Sequence, residues 1–385
     1  MKAENSPLNF RKFPQHWDVM PFNKAFMDKT GGNPKIKRNQ YRELGSLPII
    51  DQGQEYIGGY IDDLDFKCKA PIPCILFGDH TKVIKYIDFP FALGADGVKV
   101  LVPDEKLNGR FSYHYLNQLR LPDDAGYSRH FKYLKESYIP IPPIEEQKRI
   151  AAILDKADAI CRKRRQAIQL ADEFLRSVFL DMFGDPVTNP RGFNSPTLGD
   201  LVDIISGGTP SRAEKRYWNG MFPWVSPKDM KCITIRNPIE KISEDVFSET
   251  SLKKIPKKSI LIVIRGMILA HTLPIAITAK EVAINQDIKA LKACDSILPE
   301  FLLWSLLVQH NFILSKVSTA AHGTKRLDTD DLQQIKVPLP GIELQSRFIE
   351  IANKFSKIDD QTSFSFKEAE TLFYSLVQKA FRGEL

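Results

Sequence analysis

Residues 144–183, IEEQKRIAAILDKADAICRKRRQAIQLADEFLRSVFLDMF, read as one long helix, and the same pattern returns at the C-terminus. With Gln147 placed on Gln345, an offset of 198 residues, the pairs Pro140/Pro338, Pro142/Pro340, Ile144/Ile342, Glu145/Glu343 and Arg149/Arg347 are identical. So are Ile153/Ile351, Ile160/Ile358, Ala171/Ala369, Ser177/Ser375 and Phe183/Phe381. Apolar residues recur at alternating steps of three and four: Ile150, Ile153, Ala157, Ile160, Ala171, Phe174 and Val178, then Phe348, Ile351, Phe355, Ile358, Ala369, Leu372 and Leu376. This is the seam of a coiled coil held for about four heptads, along helices of roughly 60 Å. The expected helix-pair contacts are Ile150, Ile153, Ile160 and Phe174 against Phe348, Ile351, Ile358 and Leu372. The chain is a duplicated unit whose joints are long helices.

The segments between the helices repeat as well. Gly31-Gly32-Asn33-Pro34 is answered by Gly207-Gly208-Thr209-Pro210, and Tyr41 by Tyr217. Leu47-Pro48-Ile49-Ile50 is answered, with one residue of slippage, by Phe222-Pro223-Trp224-Val225. Cys74–Phe77 matches Ser259–Ile262, and Gly97–Leu101 matches Asp287–Leu291. Gly- and Pro-punctuated short strands of branched and aromatic residues predict a mixed α/β (α+β) unit with a β-rich body, built twice. Gly58-Gly59 and Leu93–Gly97 read as turn or loop. Pro140, Pro142 and Pro143 stop the first unit, and Gly184-Asp185-Pro186 ends the helix. The boundaries expected are 1–143, 144–183, 184–341 and 342–385. If each unit keeps one pose on its helix, the two helices run antiparallel about a pseudo-twofold axis. Arg164 and Thr362, with Ser365 nearby, then form either a polar layer that fixes register or a local solvent-exposed gap.

At 385 residues the chain is too long for one ordinary core. A composition of 43% apolar and 26% charged residues argues against extensive disorder. Met1–Arg11 lacks an apolar signal-peptide region, and runs such as Ile260–Ile264 are far too short to cross a bilayer, so a cytoplasmic protein without membrane contact is expected. Five cysteines without a C-x-x-C pair read as reduced thiols.

The net charge of +7 is compatible with nucleic acid without requiring it. Residues 148–165 hold seven Lys/Arg against two Asp, with Arg162–Arg165 contiguous. Such a run is either a solvated face or a cationic ridge for a polyanion or an acidic partner. Catalytic patterns are missing. There is no phosphate-binding G-x-x-x-x-G-K-[ST], no Asn/Asp-Pro-Pro-aromatic signature of amino-methyltransferases, and no metal-ligand spacing among the seven histidines. What remains is a pair of matched basic loops. Gly126–Tyr133 precedes the first helix with Ser128 and Arg129, and Ala321–Leu327 precedes the second with Thr324, Lys325 and Arg326. Hydroxyl, amide and basic groups suit phosphate contacts and base edges. Gln52, His80, Lys82, Lys228 and Arg265 are the other loop groups expected at a DNA surface. For any single one the ordinary solvated turn residue is the stronger reading; for the matched set the binding reading wins.

Gly207–Pro210 followed by Tyr217-Trp218 and Pro223-Trp224-Val225 resembles the opening of a target-recognition domain of the specificity subunits of type I restriction-modification systems. Ile141–Ile150 is similar to the start of that family's central conserved helix, and Met182–Pro186 to its exit. The resemblance covers essentially the whole chain, with the second helix departing at Gly341, Leu344 and Ser346. It implies two tandem target-recognition domains on double-stranded DNA and a bipartite, asymmetric target. It also implies two methyltransferase subunits and restriction subunits as partners. No cofactor is expected in this chain; S-adenosylmethionine, ATP and Mg would belong to those partners. The rival classes are an enzyme with an unrecognised site, a coiled-coil scaffold without DNA, and a subunit of a type IIB-like complex.

Overall fold

The computed structural model describes residues 13–94, 97–122, 129–319 and 323–385, with the backbone alone for 356–366. The chain divides into two units: Met1–Gln166 with Ser363–Leu385, and Ala167–Thr362. Each unit takes part of both long helices.

In unit 1 the strands are β1 (Phe26–Asp28), β2 (Lys35–Ile36), β3 (Leu47–Ile50), β4 (Gly59–Ile61), β5 (Cys74–Gly78), β6 (Ile84–Ile87), β7 (Ala92–Gly94) and β8 (Val98–Pro103). They form two sheets, ordered β1-β8-β5-β6 and β2-β7-β3-β4. Helix α1 (Gly109–Gln118) covers the first sheet, and α2 (Ile144–Phe183) is the long helix. A further ribbon, Asp18–Pro21 against Tyr138–Ile141, brings the start of the unit to its end.

Unit 2 contains β9 (Val202–Ser206), β10 (Phe222–Val225), β11 (Thr234–Ile235), β12 (Glu240–Ile242), β13 (Ile260–Val263), β14 (Ile275–Thr278), β15 (Ala283–Ile284) and β16 (Ile288–Ala293). Its sheets run β9-β16-β13-β14-β11 and β12-β10-β15. Helix α3 (Pro299–Val308) and the long α4 (Ile342–Ala380) follow.

The repeat is topological and in register. β5 pairs antiparallel with β8 through Ile75↔Leu101, and β13 with β16 through Ile260↔Leu291. In the second sheets β3 pairs antiparallel with β4 and parallel with β7, as β10 does with β12 and β15. Two stretches taken as turn and loop are strands. Gly59 opens β4, where an added Cβ would lie 2.9 Å from that of Tyr41. Leu93-Gly94 closes β7, with Leu93 fully buried. Parallel pairing with β3 recruits a segment too short to announce itself by alternation.

Residues two apart on these strands fill the cores. In unit 1, Ile75, Phe77 and Leu101 meet Phe111 and Tyr115 of α1, then Ile150 and Leu154 of α2, Val377 of α4 and Phe381 just beyond it. In unit 2, Ile260, Ile262 and Leu291 meet Phe301 of α3, Phe179 and Phe183 of α2, and Phe348 of α4. The helix pair is antiparallel within each unit. Arg149 donates to the Leu385 carbonyl at 2.6 Å and Arg165 pairs with Glu370 at 3.2 Å; Phe174 lies 4.6 Å from Phe355 and Phe183 5.7 Å from Phe348, centre to centre.

The buried strip is rotated by about one residue from the expected seam. Ile150 and Phe348 are buried as expected, and Ile153 and Ile351 are half-buried. Ile160 is 49% exposed and Leu372 59%, while Leu154, Cys161, Leu175 and Phe179 carry the contact. Phe174 is 44% exposed yet still packs on Phe355. The cause is that each helix packs on two neighbours at once, its partner helix and the body of the unit, so its buried arc centres between them. The side chains of Ile358, Thr362 and Ser365 lie outside the described residues, and with them the expected polar layer.

The joint between helix and unit is made by the two glutamines that align the repeat, both with no exposed surface. Gln147 accepts from the Asn108 N–H at 2.7 Å and donates to the carbonyls of Lys106 (2.9 Å) and Pro142 (2.8 Å). Gln345 accepts from the Leu298 N–H at 2.8 Å and donates to Ser296 (3.2 Å) and Pro340 (2.8 Å). Asn108 and Leu298 are the N-cap residues of α1 and α3, so each amide ties the first turn of a long helix to the first turn of a core helix. A near-isosteric Glu would turn a carboxylate oxygen toward two carbonyls. Gln147→Glu and Gln345→Glu are each expected to lower stability by about 2–4 kcal/mol, because buried partners lose their bonds. Urea unfolding of the full chain checks this; unchanged midpoints would count against the joint.

Candidate nucleic-acid interface

Beyond β5 the chain turns sharply, and backbone bonds decide what meets there. Asp79 donates its N–H to the Gly97 carbonyl at 2.6 Å, and its own carbonyl accepts from the His130 N–H at 2.8 Å. The Asp79 carboxylate, almost fully buried, accepts from the Phe131 N–H at 2.8 Å and so caps the short helix Phe131–Lys135. These bonds bring the segment that contains Arg129 to the turn that carries His80. The Gln52 side chain accepts from the His80 N–H at 3.2 Å, and its carbonyl accepts from the Thr81 hydroxyl at 2.6 Å. Lys82, at φ +59°, reaches the carbonyls of Leu121 and Pro122 at 3.4 and 3.1 Å. Gln52, His80, Lys82 and Arg129 therefore gather at one turn. Gln52 and Lys82 brace it, and Arg129 is exposed. Ser128, with Gly126 and Tyr127, lies outside the described residues.

Unit 2 builds the same turn. Ile264 donates to the Asp287 carbonyl at 2.8 Å and accepts from the Leu327 N–H at 2.9 Å, while Gly266 donates to the Lys325 carbonyl at 3.0 Å. Arg265 and Arg326 thereby face each other as antiparallel bridge partners. The Lys325 ammonium donates to Thr319 at 2.8 Å, and the Arg326 guanidinium pairs with Asp328 at 2.8 Å. Thr324 is half-buried in the same strand connection; His322 and Ala321 are outside the described residues. Lys228 is not part of this group. It is exposed on the helical turn Pro227–Asp229, which follows β10 of the other sheet.

The residues that carry the family resemblance turn out to be framework. The Trp224 indole donates to the Gly208 carbonyl at 3.1 Å, and a Cβ on Gly207 would sit 2.2 Å from the Asn285 carbonyl oxygen. Arg212 lies 3.4 Å over the Trp218 ring and binds Glu240 through two bonds of 2.6 and 3.0 Å. That bond, more than the charge of Lys228, holds the Glu240 carboxyl below its usual range. Tyr217 donates to Glu249 at 2.8 Å, alongside the two bonds from Arg216.

The basic run of α2 is paired within the chain in part: Arg162 with Asp158 at 2.9 Å, Arg165 with Glu370 at 3.2 Å. His114 is a packed residue, bonded to Asp155 at 2.8 Å, and burial keeps its imidazole below the ordinary histidine value. Among the described residues no cluster of His, Cys, Asp and Glu could hold a metal ion, and no helix is long and apolar enough to cross a membrane.

Sequence reasoning missed Lys85 and Lys99. The Lys85 side chain is 3% exposed; it donates to the carbonyls of Asp51 (2.8 Å) and Glu55, with the Asp51 carboxylate 3.7 Å away. Burial lowers its pKa against the pull of Asp51. A lysine inside the branched strand Ile84–Ile87 is the signal that could have found it. Lys99 sits 5.1 Å over the Phe131 ring, near the turn at Asp79. Lys85 thus anchors the loop that carries Gln52. Lys85→Met is expected to cost about 2–3 kcal/mol, by leaving two carbonyls without their donor and the Asp51 carboxylate without its cation. It should also raise amide exchange over residues 51–58 of the full chain; unaltered exchange there would show that the loop stands without it.

A duplicated α/β unit, two long antiparallel helices and a basic turn at the same place in each half together define a class. The chain belongs to the family of the type I restriction modification DNA specificity domain, which matches residues 17–170 and 190–369. It is 28% identical over 341 residues to the EcoR124I/EcoR124II specificity subunit of Escherichia coli, covering 84% of this chain and 82% of that one. It is 25% identical over 344 residues to a putative type I specificity subunit of Haemophilus influenzae, covering 84% of each. Its fold is like that of the crystal structure of the type I restriction-modification S subunit from M. genitalium: TM-score 0.60, 18% identity, 96% of this chain and 98% of that one. The chain's role is DNA sequence specificity within a restriction-modification complex, with catalysis left to other subunits.

Proposed function

We propose that residues 1–143 and 184–341 each read one short half-site through the major groove, and that the two together recognise a bipartite, asymmetric target. The observation that carries this reading is the matched pair of turns: His80 with Arg129 in one half, Arg265 with Arg326 and Lys325 in the other, both at the same point of the repeated topology. Phosphate contacts from these groups set the register of each unit on the duplex, and neighbouring loop residues read base edges. Because the loops differ in sequence, the half-sites differ.

The long helices then serve as spacer and docking rail. Half-sites one turn apart on the same face of DNA are about 34 Å apart, a span that helices of roughly 60 Å can bridge. Two methyltransferase subunits dock on this scaffold and bring S-adenosylmethionine. Restriction subunits bring ATP, Mg and nuclease activity, and the assembly works in the cytoplasm. In this scheme the specificity chain performs no bond-making step; it orders the target so that its partners meet their substrate base.

Seven-residue insertions at matching points of both helices, within 166–170 and 358–362, would add about 10 Å to the rail. The expected outcome, read by mapping methylated bases, is a spacer longer by about three base pairs, at 3.4 Å each, with both half-sites unchanged. Altered half-sites with an unchanged spacer would defeat the ruler. Methylation by the chain alone would defeat its assignment as a non-catalytic subunit.

A further inference from the structure

Arg265 and Arg326 occupy a position that the free protein disfavours. The bonds from Leu327 to Ile264 and from Gly266 to Lys325 flank them, so they form a non-hydrogen-bonded antiparallel pair, the geometry in which facing side chains come closest. Facing residues in such a pair hold their Cβ atoms on the order of 5 Å apart on one side of the strands, and like charges there are destabilising. Both arginines are exposed. Asp328 holds one edge of the Arg326 guanidinium, through Nε at 2.8 Å, and among the described residues no second carboxylate pairs with it. Among the described residues no ion pair or side-chain hydrogen bond engages Arg265. Two exposed arginines at facing backbone positions, with a single carboxylate paired to one of them, form an incomplete charge group.

We propose that Arg265 and Arg326 together clamp one phosphate of the DNA backbone, and that this clamp, not base reading, is their contribution to the DNA binding proposed above, on which the inference rests. The choice of phosphate follows from acceptor geometry. A guanine edge takes one guanidinium through N7 and O6, which would leave the second arginine beside the first with no anion between them. A phosphodiester offers two unesterified oxygens and a full negative charge, so it accepts from both and removes the repulsion. The repeat supplies an independent argument. Alignment of the backbone bonds places His80 at the position of Arg265, and Arg129 at that of Arg326. Basic residue types at both positions in both halves mark the turn as a contact to a feature every duplex shares, while the halves differ elsewhere. Unit 2 carries two permanent charges there, and so the stronger grip.

The test is salt-dependent binding of the full-length chain to two duplexes, one with its methylated target and one of unrelated sequence. For the double variant R265A/R326A the slope of log affinity against log salt should fall by about 0.9 on both duplexes. Between 50 and 200 mM salt the variant should then lose about three- to fourfold less affinity than wild type does. In a double-mutant cycle the two single variants should be strongly non-additive, since they share one anion. R265A should keep an unfolding midpoint at or above wild type, because it removes a like charge, and this controls for misfolding. An affinity loss confined to the target duplex would make the pair base readers and overturn the clamp, as would unchanged slopes on both. A wild-type chain with no preference for its target would sink the sequence-reading role instead, and the clamp would still be measured on the unrelated duplex.

Discussion

A single buried amide in each half secures the rest of the architecture. Gln147 and Gln345 sit in the first turns of the two long helices, without exposed surface, and each satisfies one backbone N–H and two carbonyls of its own unit. In a dry environment every one of those groups would cost free energy if left alone, so the joint has one good geometry and poor alternatives. It fixes the direction in which the helix leaves the unit. Anything carried along the helix pair is referenced to that bond set, which is why the glutamines occur at the same place in both copies.

The same logic separates two kinds of charge. Charges that support the fold are partnered: Lys85 with two carbonyls and Asp51, Arg212 with Glu240 and Trp218, Arg216 with Glu249. At the turns after β5 and β13, Arg129, Arg265 and Arg326 are exposed on segments held by backbone bonds, and Arg265 faces Arg326. A rigid backbone presenting incompletely compensated cations is what a polyanion requires, since the ordering cost has been met before binding.

The family motif and the exposed basic turns fall on different residues. Gly207, Gly208, Tyr217, Trp218 and Trp224 are recognisable because they build a corner in which little else fits, including the 2.2 Å approach at Gly207. The motif therefore marks the framework of the fold.

The duplication, the two long helices and the order of the strands were legible in the chain because they rest on local periodicity and on a repeat that can be aligned. The phase of the helix seam was not, since Ile160 and Cys161 compete for one arc and only the second neighbour, the body of the unit, decides between them. The strands Gly59–Ile61 and Ala92–Gly94 exist through pairing with Leu47–Ile50, which no short window contains. Matched basic loops were legible as segments, but that Arg265 faces Arg326 across 60 intervening residues is a property of sheet register. Sequence by itself determined which elements form and that they form twice; tertiary structure decided which side chains share a face, because that choice depends on partners far away along the chain.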